Sequence, residues 1–169
     1  LATNSNYESG VNCYNSNNAA SYPVTADTVS PILGARSAVT IRTGTLNTAV
    51  SSINCTPGDS TTKFPVVAGQ PVTGALSTKT DVANAVIYTR WYWYDAGLVQ
   101  TQGAATIRQA SAAVGQVYRV VETGTPPANM VSAQFVVSVF TSGANCVGGE
   151  KVWYDQLVVE TGITDGSWF

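Results

Sequence analysis

The chain has 169 residues, 44% of them hydrophobic and only 11% charged, with a net charge of −2. That length fits one domain with its own core. The eight Lys and Arg are scattered, which excludes the basic footprint of a nucleic-acid binder, and no run of eighteen apolar residues occurs to form a transmembrane helix.

Charged residues fall well below the usual quarter, so Thr, Ser, Asn, Gln and Gly must cover the surface. Such a composition suits an extracellular or virion β-protein. The apolar runs are short, β-branched and separated by Gly, Pro, Ser and Asn clusters. In chain order the expected strands are 2–8, 38–43, 63–67, 71–80, 85–95, 98–102, 116–122, 132–141 and 150–161. The stretches 12–21 and 45–62 read as long surface loops. Residues 82–86 form a turn at most, and 110–114 are too few for a helix. Eight to ten strands with long connections predict an all-β fold, a two-sheet antiparallel β-sandwich of jelly-roll type. Residues 1–169 make a single domain; the start at Leu1 and the end at Trp168-Phe169 lead us to expect a segment of a longer protein.

The segment Val86-Ile-Tyr-Thr-Arg90-Trp-Tyr-Trp-Tyr94 reads as one strand with two unlike faces. Ile87, Thr89, Trp91 and Trp93 share the face assigned to the core. Tyr88, Arg90, Tyr92 and Tyr94 share the other. Tyrosines around one Arg suit a sugar, because rings cover its C–H patches while phenol and guanidinium groups bond its hydroxyls. Two stacked sheets taking one face each would also explain the pattern.

The last strand carries an acid in an apolar row. With period two, Trp153, Asp155, Leu157 and Val159 fall on one face, so Asp155 is expected to be buried. A buried carboxylate is costly without a partner. Glu8, from Asn4-Ser-Asn-Tyr7-Glu8 at the other end of the chain, offers a joint site with Asp155 for a hard cation, calcium above all.

Catalysis finds little support. The chain has no His, which excludes His-dependent acid–base work and Ser-His-Asp triads. A carboxylate-pair glycosidase needs only two acids, but Asp95 precedes Ala96-Gly97 and reads as a turn former. The chain is read as no enzyme. Three cysteines, Cys13, Cys55 and Cys146, leave one disulfide plus a thiol, or three buried thiols, both open.

The order of motifs resembles the carbohydrate-binding-module-like jelly rolls. Asn4-Ser-Asn-Tyr7-Glu8 is similar to their opening Asn-Pro-x-Phe-Glu, and Gly34-Ala-Arg-Ser37 begins a segment similar to Gly-x-x-Ser-x-x-Val. Val66 to Ser77 resembles Val-x-x-Gly-x-x-Tyr-x-x-Ser, Trp93-Tyr-Asp-Ala-Gly97 resembles Phe/Trp-Tyr-Asp-x-x-Gly, and Thr125-Pro-Pro-Ala128 resembles an Ala-Pro-Ala turn. Lys151-Val-Trp-Tyr-Asp155-Gln-Leu-Val-Val-Glu160 is similar to the closing Val-Tyr-Val-Asp-Asp-Val-x-Leu-Glu strand. Ser5 replaces the usual Pro and Gln156 the second Asp.

Trp-Tyr-Asp-Ala-Gly together with the trailing Asp-Gly-Ser-Trp-Phe most resembles domains of bacteriophage minor tail and tail fibre proteins. The resemblance implies a structural calcium on Glu8 and Asp155, and a disulfide between Cys55 and Cys146. It also implies a non-catalytic domain of the virion tail, outside the cell, recognising host cell-surface polysaccharide. Other virion tail proteins and further copies of the chain, as in a trimer, would be its partners. The alternatives are a purely structural virion domain for oligomerisation or tail decoration, and an ancillary carbohydrate-binding module of a secreted glycoside hydrolase.

Overall fold

The computed structural model describes residues 14–16, 20–21, 23–43, 48–55, 63–143 and 145–162. These residues form two antiparallel sheets and contain no helix. The larger sheet runs β1 (Tyr14–Ser16), β4 (Ala49–Cys55), β11 (Met130–Phe140), β7 (Ala85–Asp95) and β8 (Gln100–Gln102). Two further strands pair within it, β5 (Phe64–Pro65) on β11 and β9 (Thr106–Ala112) on β7. The smaller sheet runs β10 (Tyr118–Gly124), β6 (Val72–Thr80), β12 (Lys151–Thr161), β3 (Ser37–Ile41) and β2 (Val24–Asp27). The expected all-β sandwich is therefore the fold of the described residues.

The core lies between the sheets, and β7 shows why. Ile87, Thr89, Trp91 and Trp93 are all buried, alternating with residues of the opposite face. Trp91 stacks on Trp93 with ring centroids 5.4 Å apart and packs against Phe135 at 5.2 Å. The smaller sheet makes room for these rings with glycine. A Cβ on Gly74 would stand 2.7 Å from the Phe135 ring, and one on Gly124 would stand 2.6 Å from Trp91. Neither site accepts a side chain without displacing an indole or phenyl ring packed at crystal-like density.

Two expected loops contain strands. β4 lies inside 45–62, and its Ser51 is wholly buried. Its hydroxyl oxygen accepts hydrogen bonds from Thr40 Oγ1 at 2.8 Å and Tyr154 Oη at 2.6 Å, across the core from the other sheet. A polar residue is thus satisfied inside, and β4 joins the sheets despite a Ser- and Asn-rich sequence. β1 lies within 12–21, and β2 and β9 were likewise absent from the expected set. The expected first strand, 2–8, lies outside the described residues.

The closing strand departs from simple alternation. The pairing of β12 with β6 shifts between Asp155 and Val158, and Gln156 adopts a φ of 53°. This β-bulge inserts one residue and reverses the facing beyond it. Val152, Tyr154, Leu157 and Val159 therefore belong to the core cluster. Trp153 and Asp155 turn to the outer side of the smaller sheet. The expectation that they share a face with Leu157 and Val159 is corrected by that single extra residue.

Candidate functional site

The row on β7 faces away from the core. Tyr88, Arg90 and Tyr92 are half-buried, each between two buried neighbours. Register sets the residues beside them. Across β11, Ser138 lies opposite Tyr88, Val136 opposite Arg90, Gln134 opposite Tyr92 and Ser132 opposite Tyr94. On the other flank Gln102 lies opposite Tyr92 and Gln100 opposite Tyr94. The outer face is thus aromatic and amide-rich, which is what sugar hydroxyls and ring C–H groups need.

A groove of about 270 Å³ opens at the Tyr88 end, lined by Val86, Tyr88, Arg90, Ala105, Phe140 and Thr141 among others. Tyr88 meets Phe140 edge to face, with centroids 5.5 Å apart and planes at 87°, so one wall is a fixed aromatic corner. Arg90 Nη1 donates to Gln102 Oε1 at 3.3 Å.

Tyr94 differs from the rest of its row. It is buried, with 7% of its surface exposed, and its hydroxyl donates to Gln134 Oε1 at 2.6 Å and reaches Gln100 Oε1 at 3.1 Å. Burial, and to a lesser degree nearby Tyr92, holds its phenol pKa above the ordinary value. Lys63 Nζ lies 4.6 Å from the ring centroid, a cation–π contact. The structure therefore makes Tyr94 a support for Gln134 and Lys63 rather than an open sugar contact. Phe140, Gln102, Gln134 and Lys63 were missed in the sequence; period two on the 132–141 run already marks Gln134 and Phe140 as one face.

The acids with possible catalytic roles are otherwise engaged. Asp95 Oδ1 accepts the amides of Gly97 and Val99, both at 2.9 Å, as a turn former does. Glu122 forms an ion pair with Arg108 and accepts from Thr89 Oγ1 at 2.7 Å.

On the smaller sheet Asp155 is wholly buried. Its Oδ2 accepts from Ser37 Oγ at 3.0 Å and Leu33 N at 3.2 Å, and its Oδ1 from Gln156 N at 2.8 Å. The need for a partner is thus met in part by hydrogen-bond donors. Glu8 lies outside the described residues. Among the described residues no group of three or more His, Cys, Asp or Glu comes together.

Nearby, Trp153 Nε1 donates to Asp27 Oδ2, and Lys79 Nζ lies 5.0 Å from the Trp153 ring while donating to Ser30 O at 2.6 Å. Asp27 Oδ1 also accepts from Val29 N at 2.7 Å. The Trp153 hydrogen bond, ahead of the opposing effect of burial, lowers the Asp27 pKa below its ordinary value.

The pairing of Cys55 with Cys146 is not formed. Cys146 Sγ donates to Ala49 O at 3.4 Å, at the start of β4, whereas Cys55 ends that strand. Six residue steps along the strand separate the two ends by about 20 Å, far beyond disulfide reach. Burial raises the Cys146 thiol pKa. Cys13 lies outside the described residues.

Neither a family model nor a curated protein matches the chain. Solved structures do. The CBM22-1-GH10 modules of Clostridium thermocellum xylanase 10B, complexed with xylohexaose, match with a TM-score of 0.68 at 11% identity. That match covers 95% of this chain and 28% of the other. The C-terminal family 22 carbohydrate-binding module of the same enzyme matches with a TM-score of 0.64 at 10% identity, over 94% of this chain and 92% of that one. The enzymatically active domain of tailspike protein 4 from bacteriophage CBA120 gives a TM-score of 0.53 at 11% identity, over 89% of this chain and 19% of that one. The chain therefore spans about a quarter of the first structure and nearly all of the second. It has the β-sandwich fold of carbohydrate-binding modules.

Proposed function

We propose that this chain is a non-catalytic polysaccharide-binding domain, and that the outer face of its larger sheet holds the glycan. The observation that carries the reading is the half-exposed row Tyr88, Arg90, Tyr92 beside an aromatic-walled groove. Tyr88 and Tyr92 supply ring faces for sugar C–H patches, Arg90 and Gln102 supply hydroxyl partners, and Tyr94 stiffens the floor through Gln134. Affinity electrophoresis against a panel of plant, bacterial and host-surface polysaccharides tests it. Retardation by at least one polymer, lost on Tyr92→Ala, is expected; no retardation by any at millimolar sugar overturns the reading.

Two settings fit such a domain. A virion tail protein recognising host surface polysaccharide is favoured by the sequence resemblance, and the tailspike is a further likeness of fold. An ancillary module of a secreted glycoside hydrolase is favoured equally by the xylanase-borne modules. In the first setting other tail proteins and further copies of the chain are partners; in the second a catalytic domain is. The flanking gene sequence separates them.

A structural calcium on Glu8 and Asp155 belongs to the same proposal and rests on the motif resemblance. It would tie the start of the chain to β12. A chelator is expected to lower the melting temperature and calcium to restore it; an unchanged melting temperature at saturating chelator overturns this.

A further inference from the structure

Among the described residues the larger sheet's outer face carries positive charge and no acid beside it. Arg108 pairs with Glu122, whereas Arg90 has no ion pair with a described acid. Its Nη1 bonds only the neutral amide of Gln102, and its Nε is closed off without a partner. The positions beside the row on β11 are Ser132, Gln134, Val136 and Ser138, and those on β8 are Gln100 and Gln102. None is acidic. Lys63, over the Tyr94 ring, adds a second cation to the face. This occurs in a protein of net charge −2, whose described acids sit elsewhere.

A half-buried guanidinium without a counter-charge costs free energy that a neutral ligand only partly recovers. Its planar fork matches an oxyanion with two acceptor oxygens. Arg90 also lines the groove beside Tyr88, so a charged substituent could reach it while a sugar ring lies on the tyrosines. We propose that the ligand of this face is an anionic polysaccharide, its carboxylate or phosphate meeting Arg90. The inference rests on the carbohydrate-binding reading of the same face and specifies its substrate class.

The test uses matched polymers that differ only in charge: glucuronoxylan and polygalacturonate, each beside its carboxyl-reduced form, and a glycan bearing pendant phosphate monoesters beside its dephosphorylated form. Binding is read by calorimetry at two salt concentrations. The charged member of a binding pair should bind about tenfold tighter, as one charge-assisted hydrogen-bonded contact supplies, and the preference should shrink with salt. Arg90→Gln should abolish the preference at unchanged melting temperature, the charged member losing about tenfold more affinity than the neutral one. Arg90→Lys should keep part of it. A preference confined to the carboxylated or to the phosphorylated pair identifies the oxyanion. Equal binding of both members overturns the charge inference but leaves carbohydrate binding standing. No binding in any pair overturns both.

Discussion

The outer faces of the two sheets are both aromatic and both carry charge, yet they dispose of it in opposite ways. On the smaller sheet Trp153 gives its N–H to Asp27, Lys79 covers the indole and bonds Ser30, and Asp155 gathers donors from Leu33, Ser37 and Gln156. These three side chains are answered by the chain itself. On the larger sheet Tyr88, Arg90 and Tyr92 stand half-exposed, and Arg90 has one bond to a neutral amide. A face that satisfies itself stabilises the fold. One left partly unanswered is arranged for something that arrives from outside.

The contrast breaks most visibly at Asp155. Asp155→Ala takes the acceptor from the buried Ser37 hydroxyl and from the part-buried amides of Leu33 and Gln156. The buried donor alone costs about 1–3 kcal/mol, so we expect a loss of roughly 2 kcal/mol or more in chemical denaturation. Polysaccharide affinity of the folded fraction should stay the same. A loss below about 1 kcal/mol would show that the donors are re-satisfied by water, and the smaller sheet would no longer count as self-answering.

Tyr92→Ala is the mirror experiment. Removing an aromatic contact from a binding face costs about 1–2 kcal/mol of binding, roughly tenfold in affinity. Stability should change by about 0.5 kcal/mol or less, since the ring is half-exposed. A variant that melts much earlier yet binds as before would make Tyr92 a packing residue and erase the comparison.

How much of this contrast was legible in the sequence depends on the strand. The alternation in β7 is strong because its two faces differ in kind, Trp and Ile against Tyr and Arg, and the structure keeps every one of those facings. β4 was hidden because its inward Ser51 is satisfied by hydroxyls from 40 and 154, partners no local window contains. β9 was hidden because it is an exposed, polar edge with few apolar positions. The facing of Trp153 and Asp155 was misread because the bulge sits at Gln156, where no Gly marks the positive φ. The open state of Arg90 was invisible for a different reason. It is a statement about acids that are absent from neighbouring strands, and only strand order reveals which strands those are.

The smallest expected effect concerns the Trp153–Asp27 bond. Trp153→Phe removes one donor and should cost about 1 kcal/mol at neutral pH. Because the bond lowers the Asp27 pKa in the folded protein, its contribution has a definite pH dependence. It is fully present above the unfolded-state carboxylate value, near 4, and is lost as pH falls through the lower folded value. Wild type and Trp153→Phe should therefore differ in unfolding free energy at pH 6 and converge toward pH 2. A gap that stays constant across that range would mean that Trp153 contributes by packing alone. The smaller face would then be held by the Lys79 contact and the Asp155 donors, with Asp27 serving the turn through Val29 and Ser30.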